Sequence, residues 1–410
     1  MLYTLNIQNK KLKSSIQLPG SKSESNRALI IQQLCAGNTT IENLSSAIDT
    51  EVLNQILIDF KKGETTFDVK LAGTAMRFLT AFFASRDCNI ILTGSDRMKQ
   101  RPIDILVKAL RQIDAKIDYI EKSGYPPIHV IGKSLQGGKI SIDGSVSSQY
   151  ITALLLIAPT LTEGLEIELR EKITSESYIE MTIQLMNNFS VEVERNKNCL
   201  VVRPQLYAAK NIVVEGDWTS ASYWYAIVAL SEEAEIELFD LRSDSLQGDA
   251  IVAKLFEVFG VETKYNEKSV QILKATKQLP NKFEFDFSDC PDLAQTIAVV
   301  VSALNIPAIF TGLETLLIKE TNRVEALKNE LVKIGVEVNI LNKGSIHIVP
   351  AKRINSSNIV IDTYNDHRMA MAFAPLAIVF ENLKINNPSV VKKSYPTFWE
   401  DIKKIGFSIS

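Results

Sequence analysis

Residues 18–27 read L-P-G-S-K-S-E-S-N-R, a glycine turn followed by hydroxyls and two cations. Gly20 frees the turn, and Ser21 is placed to cap a helix by accepting from its first N–H groups. Ser23 and Arg27 stand four residues apart and share a face of that helix, with Lys22 in its first turn. The set suits a phosphate or a carboxylate. It is not a P-loop, because Ser21 separates Gly20 from Lys22 where that motif needs Gly directly before Lys. Taken alone, the stretch also reads as a capped helix with a solvated Lys and Arg.

Further stretches carry the same kinds of side chain. S-D-R-M-K-Q-R-P-I (95–103) brings Arg97, Lys99 and Arg101 ahead of Pro102, a good first helical residue; alone, it reads as a solvated basic loop. G-S-V-S-S-Q (144–149) sets Ser147, Ser148 and Gln149 before an apolar helix, more donors than one cap requires. K-E-T-N-R (319–323) spaces Lys319 and Arg323 at i, i+4 with Glu320 beside them. Y-N-D-H-R-M-A-M-A (364–372) puts Asp366, His367 and Arg368 before a small-residue helix. Asp292 lies near the start of another apolar helix, where an acid commonly offsets the helix dipole. Lys392 and Lys393 precede S-Y-P-T-F-W.

Two repeating patterns must position these groups. In the first, an amphipathic helix ends in Gly or a polar residue and a short alternating strand follows. Aligned on Gly63, Asp114, Ser190, Gly260, Gly335 and Gly406, it recurs at intervals of 51, 76, 70, 75 and 71 residues. That position is a helix C-cap, where positive φ is needed. In the second, a strand ends in small or polar residues and a small-residue helix follows, starting at 18, 71, 142, 214, 287 and 361. Six copies of a strand–helix unit therefore fill the chain, the second being shorter. Six units suit two domains of three, with a boundary near 205–217, where R-P-Q-L-Y-A-A-K-N (203–211) looks like a connection. Each junction of the second pattern offers N–H groups at a helix start, and several facing one cleft would hold a polyanion.

Composition narrows the class. The chain has 410 residues, 46% hydrophobic and 23% charged, as expected of a globular protein of two or three domains. A net charge of −3 argues against nucleic-acid binding through bulk electrostatics. Cys35, Cys88, Cys199 and Cys290 are far apart, which suits a reducing cytoplasm rather than a disulfide framework. With three histidines (His129, His347, His367) and no HExxH or Cys/His cluster, no metal site is expected. The N-terminus lacks the order of a signal peptide, and no apolar run is long enough to span a membrane.

The motifs together resemble 5-enolpyruvylshikimate-3-phosphate synthase, an enolpyruvyl transferase family. The resemblance runs from P-G-S-K-S-E-S-N-R to K-S-Y-P-T-F through A-G-T-A-M-R, R-M-K-Q-R-P-I, G-Y-P-P-I, G-S-V-S-S-Q, K-E-T-N-R and N-D-H-R-M-A-M. It implies a mixed α/β (α+β) fold of two lobes, each of three βαβαββ repeats. One lobe would hold residues 15–213, and the other 1–14 with 214–410. It also implies a reaction: the 5-hydroxyl of shikimate 3-phosphate attacks C2 of phosphoenolpyruvate while C3 is protonated, and the adduct loses phosphate to give the enolpyruvyl ether. No cofactor or metal is expected, the partners are those two small molecules, and the enzyme is expected to be a cytoplasmic monomer that closes its lobes on them.

Roles follow from the resemblance, motif by motif. Ser23, Arg27, Ser147, Ser148, Gln149, Ser175, Tyr178 and Lys319 are expected to bind shikimate 3-phosphate, with Lys22 and Asp292 at the same site. Lys22, Gly73, Arg97, Gln149, Arg323, Arg368 and Lys393 are expected to bind phosphoenolpyruvate. Asp292 would accept the 5-hydroxyl proton, Glu320 would protonate C3, and Lys22 would assist. The cations answer two phosphates and two carboxylates; one such pair at about 4 Å is worth roughly 4 kcal/mol at an effective dielectric of 20.

Four residues depart from the family pattern: Leu71 for Asn, Phe78 for Pro, Thr315 for Asn and Asn322 for Asp. None removes a cation, though Leu71 and Phe78 could shift Gly73. Two other readings compete. A UDP-N-acetylglucosamine enolpyruvyl transferase would carry a reactive Cys in the loop at R-M-K-Q-R, which has none. A non-catalytic ligand-binding homologue fits the departures, but Asp292, Glu320 and the full set of cations are kept.

Overall fold

All six aligned turn positions take a left-handed backbone: Gly63 (φ 92°), Asp114 (64°), Ser190 (63°), Gly260 (75°), Gly335 (80°) and Gly406 (102°). Each follows an amphipathic helix, namely Ile48–Lys61, Asp104–Arg111, Glu176–Asn188, Val252–Phe256, Arg323–Leu331 and Phe398–Lys404. The second pattern is equally regular. Its junctions open helices Lys22–Leu34, Gly73–Ala84, Ser148–Ile157, Trp218–Leu230, Ala294–Ala303 and His367–Phe373. The structure is a computed structural model, and it describes residues 1–145, 147–171, 173–350 and 359–410.

The chain forms two compact units, Ser21–Val214 and Met1–Gly20 with Glu215–Ser410. In Ser21–Val214, two four-stranded sheets share one topology. Thr66–Asp68 runs parallel to Cys88–Thr93, and Ile128–Gly132 and Lys116–Tyr119 then add antiparallel. Gly138–Asp143, Leu165–Arg170, Cys199–Val202 and Glu194–Asn196 repeat that order. The third sheet is only Ile41–Glu42 parallel to Ile212–Val213. The reduced copy is therefore the one that opens this unit, not the second as the spacing suggested. It pairs a strand near the start of the unit with one near its end.

In the other unit the same parallel-then-antiparallel order occurs in three four-stranded sheets. The strand Leu2–Ile7 sits between Leu383–Asn386 and Phe407–Ile409. Lys11–Gln17 pairs in parallel with Glu233–Phe239 along its whole length. Residues 15–20, placed in the first lobe on the sequence, therefore lie with Glu215–Ser410. The Ser21–Val214 unit is inserted between that strand and the helix Trp218–Leu230. Both chain crossings are pinned there: Gly20 bridges Gly216, and Asp217 N–H donates to Pro19 O at 2.9 Å.

Each unit has its own apolar core. The six small-residue helices are largely buried, which explains their composition: Ala, Ser and Thr permit close helix approach. Buried hydroxyls satisfy one another across the contacts. Ser222 Oγ lies 3.1 Å from Thr296 Oγ1 in one unit, and Thr152 Oγ1 3.1 Å from Thr182 Oγ1 in the other. Burying them unpaired would cost about 1–3 kcal/mol each.

Candidate active site

The unit that holds the C-terminus gathers four cations and three carboxylates in one network. Arg323, the first residue of its helix, is 1% exposed. Its Nε donates to Asp366 at 2.7 Å, Nη1 to Asp292 at 2.8 Å and Nη2 to Glu320 at 2.9 Å. Arg368 Nη2 donates to the other Asp292 oxygen at 2.6 Å, and Nη1 to Tyr223 Oη at 3.3 Å. Lys393 Nζ donates to the second Glu320 oxygen at 2.5 Å. Lys319 Nζ stands 3.9 Å from Asp292.

The local sequence explains the placement. Asp292 sits in a short 3-10 turn, Pro291–Leu293, that leads into Ala294–Ala303. Asp366 caps His367–Phe373 by accepting from Arg368 N–H at 2.9 Å, so Arg368 is fixed at the first turn. Asn322, one of the four departures, caps Arg323–Leu331 by accepting from Glu325 N–H at 3.3 Å. That cap keeps Arg323 at a helix start. Thr315, another departure, is buried, and its Oγ1 has no hydrogen-bond partner among the described residues.

Burial alone would lower the Arg323 guanidinium, but Asp366, Glu320 and Asp292 outweigh it and hold it above the usual arginine range. For Lys319, burial outweighs Asp292 and lowers the ammonium below its ordinary value. Tyr223 is pushed up to about 12 by burial, against the pull of Arg368. Asp249 accepts from Thr219 Oγ1 and is buried. Burial first, then the Asp292 charge, push its carboxyl up to about 7. Motif reading singled out neither Asp249 nor Tyr223 as a site residue. Asp366 stands out in the sequence only as part of its motif. Their signal is tertiary, lying in the atoms they face.

Three groups of residues expected at the site stand out in Ser21–Val214. Lys22 Nζ lies 3.3 Å from Asp49, and Ser21 caps the helix as expected, accepting from Glu24 N–H at 3.4 Å. Arg27 is buried, 3% exposed, and makes four hydrogen bonds, to Thr182 Oγ1 (2.8 Å), Ser23 O (2.7 Å), Tyr178 O (3.1 Å) and Thr152 Oγ1 (3.4 Å). Its guanidinium also stands 5.9 Å from the Tyr178 ring centroid and 5.7 Å from that of Phe78. Phe78, a departure expected to bear on Gly73, therefore bears on Arg27. Burial pushes Arg27 down to about 10, with Tyr178 and Glu24 opposing.

Gly73 opens its helix, and Gln149 Nε2 donates to the neighbouring Thr74 Oγ1 at 3.3 Å. Ser147 caps Ser148–Ile157 by accepting from Gln149 N–H at 3.3 Å, and Ser148 is buried. Ser175 takes a left-handed backbone (φ 56°) just before Glu176–Asn188. Arg97 is half-buried and donates to Gln100 at 3.4 Å. Arg101, read with it as part of a solvated loop, is instead 9% exposed. Among the described residues no group of three or more His, Cys, Asp or Glu side chains is arranged to hold a metal ion. None of the described helices is long and apolar enough to cross a membrane.

Comparison with known proteins adds four findings. A family model described as EPSP synthase (3-phosphoshikimate 1-carboxyvinyltransferase) matches residues 7–66 and 58–402. A 3-phosphoshikimate 1-carboxyvinyltransferase of Bacteroides fragilis (strain YCH46) is 46% identical over 401 residues, covering 97% of each chain. One from Mannheimia haemolytica is 36% identical over 426 residues, covering 96% of this chain and 97% of the relative. The solved structure of an EPSP synthase from Acinetobacter baumannii matches with a TM-score of 0.78 at 20% identity, over 100% of this chain and 99% of that one. At that identity the structural likeness bears on fold.

Proposed function

The chain belongs to the EPSP synthase (3-phosphoshikimate 1-carboxyvinyltransferase) family, and we propose on that basis that it transfers the enolpyruvyl group of phosphoenolpyruvate to the 5-hydroxyl of shikimate 3-phosphate. The observation that carries the reading is the 46% identity over 97% of both chains to a relative of that name. The physical support is the network of Arg323, Arg368, Lys319 and Lys393 around Asp292, Asp366 and Glu320, where four cations face three carboxylates. Such a site attracts a further anion.

In this proposal the three carboxylates hold the cations in place before substrate arrives. The phosphate and carboxylate of phosphoenolpyruvate then take over Arg323, Arg368 and Lys393, with Lys22, Gly73, Arg97 and Gln149. Arg suits such oxygens by its bidentate fork and Lys by its point charge. Shikimate 3-phosphate is held by Ser23, Arg27, Ser147, Ser148, Gln149, Ser175, Tyr178 and Lys319. Relieved of its cations, Asp292 accepts the 5-hydroxyl proton as that oxygen bonds to C2. Glu320 delivers a proton to C3, and Lys22 assists. The adduct then breaks its C2–O bond to phosphate and returns a C3 proton to Glu320, leaving the enol ether and inorganic phosphate. Excluding water protects C2 from the wrong nucleophile. A cytoplasmic monomer is part of the same proposal, checked by light scattering on the purified chain.

The test is phosphate release from the two substrates together, in EDTA. Turnover is expected, and none would sink the proposal; turnover abolished by the chelator would sink its metal-free form. For roles, Asp292→Asn keeps the shape of the side chain and should lower kcat by about 10²–10⁴-fold while both substrates still bind by calorimetry. Weakened binding with unchanged kcat would refute Asp292 as the base.

A further inference from the structure

The helix Gly73–Ala84 starts without a side-chain cap, because Ala72 precedes it and offers none. Its first N–H groups therefore have no partner within the helix. Arg101 lies against that end. A Cβ built on Gly73 would come 2.6 Å from Arg101 Nη1, 2.9 Å from Nη2 and 3.0 Å from Cζ. The guanidinium thus occupies the space that any side chain at 73 would need.

Arg101 is 9% exposed, yet among the described residues its guanidinium makes no hydrogen bond and no ion pair. Arg77, on the same helix, is different: it donates to Gly73 O at 3.2 Å and to Pro102 O at 2.8 Å. Tyr150 Oη donates to the same Pro102 carbonyl at 2.7 Å. Arg77 and Tyr150 therefore anchor the backbone beside Arg101 and leave its guanidinium unoccupied. The side chain is enclosed over most of its surface while its guanidinium nitrogens still reach solvent, so an anion arriving there meets an unused, partly desolvated cation. An uncapped helix start next to a buried, unpartnered arginine supplies N–H donors, dipole and charge at one point.

We propose that Arg101 is a binding residue for phosphoenolpyruvate. Its guanidinium and the start of Gly73–Ala84 together hold an anionic oxygen group of that substrate, and Gly73 is required because a methyl group there would push the guanidinium aside. The proposal rests on the transferase reading above. It differs from the expectation for this loop, which gave the contact to Arg97. The clash at 73 is with the far end of a flexible side chain, so an alanine there moves Arg101 without disturbing the fold.

The experiment is steady-state kinetics with each substrate varied in turn, on the parent, Arg101→Met, Arg101→Lys, Gly73→Ala and the double variant Gly73→Ala/Arg101→Met. Arg101→Met should raise KM for phosphoenolpyruvate about tenfold or more and change KM for shikimate 3-phosphate less than about twofold. Arg101→Lys should recover part of the loss. Gly73→Ala should raise the same KM with an unchanged melting midpoint, and the double variant should be no worse than Arg101→Met. An unchanged KM for phosphoenolpyruvate in Arg101→Met overturns the proposal, as does an equal rise for both substrates with a lowered midpoint. If Gly73→Ala multiplies in full on the Arg101→Met background, Gly73 does not act through Arg101. Should Arg101→Met fail to fold, Arg101→Gln takes its place, with the same rise in KM for phosphoenolpyruvate expected and an unchanged KM overturning the proposal. A parent that releases no phosphate would sink the transferase reading itself, an outcome distinct from a parent that works and an Arg101 that does not matter.

Discussion

Arg323 donates through Nε to Asp366 at 2.7 Å, and their side chains are only 2% and 0% exposed. A pair buried this deeply is held by mutual compensation, because each charge alone would be stranded in low dielectric. Asp366→Asn should therefore lower unfolding free energy by about 3–5 kcal/mol, read from urea denaturation. A loss within about 1 kcal/mol would mean that Asp292 and Glu320 satisfy Arg323 without it.

Asp249 supplies a pH dependence. Its folded-state carboxyl is raised to about 7, by burial and then by Asp292. The unfolded chain holds the same group near the ordinary value of about 3.9. A raised acid contributes stability that is fully present below the unfolded value and lost as pH rises through the folded one. Asp249→Asn should remove that loss. Between pH 5 and pH 8 its unfolding free energy should change less than the parent's, by on the order of 2 kcal/mol. Parallel pH profiles for the two proteins would contradict this.

Arg27 separates stability from binding. It is buried with no carboxylate within ion-pair distance among the described residues, and burial lowers it to about 10. The charged form is disfavoured in the folded state, and at pH 7 that penalty is present in full. Arg27→Met keeps most of the volume and removes the charge, and Thr152 and Thr182 still bond each other. Its melting midpoint should hold or rise, by up to about 2 kcal/mol in unfolding free energy, while affinity for shikimate 3-phosphate falls. A collapse of stability would show that the four hydrogen bonds of Arg27 outweigh its desolvation.

Asp114 and Ser190 are exposed and take φ of 64° and 63° at turns where four copies use glycine. A left-handed backbone costs an L-residue about 1–2 kcal/mol, part of which glycine returns in unfolded-state entropy. Asp114→Gly and Ser190→Gly should each stabilise the chain by about 0.5 kcal/mol, and Gly335→Ala should destabilise it by about 1 kcal/mol. Thermal midpoints moving in the opposite directions would refute the turn assignment.

The helix ends were legible because they are local. A turn at Gly260 or Ser190 is fixed by one residue's φ and by the apolar period before it, and both stand in the sequence. Lys319, Glu320 and Arg323 were legible as one five-residue motif, although only Arg323 is helical: Lys319 has an extended backbone and the helix begins at Arg323. The cap at Ser21 was legible as a residue type at a junction. The reduced sheet of Ile41–Glu42 and Ile212–Val213 was not, because its two strands lie about 170 residues apart in the chain.

The amino-acid order by itself determined the repeat, the helix starts and the residue types assembled there, since each depends on backbone preferences over a few neighbouring positions. Folding in three dimensions decided which oxygen each cation meets. Asp366 reaches Arg323 across 43 residues and Arg368 reaches Asp292 across 76. It also decided that Arg101 is enclosed beside Gly73 and that residues 15–20 belong with the C-terminal unit. Those outcomes depend on how distant segments exclude water from a shared space, and burial and partnership are properties of that space.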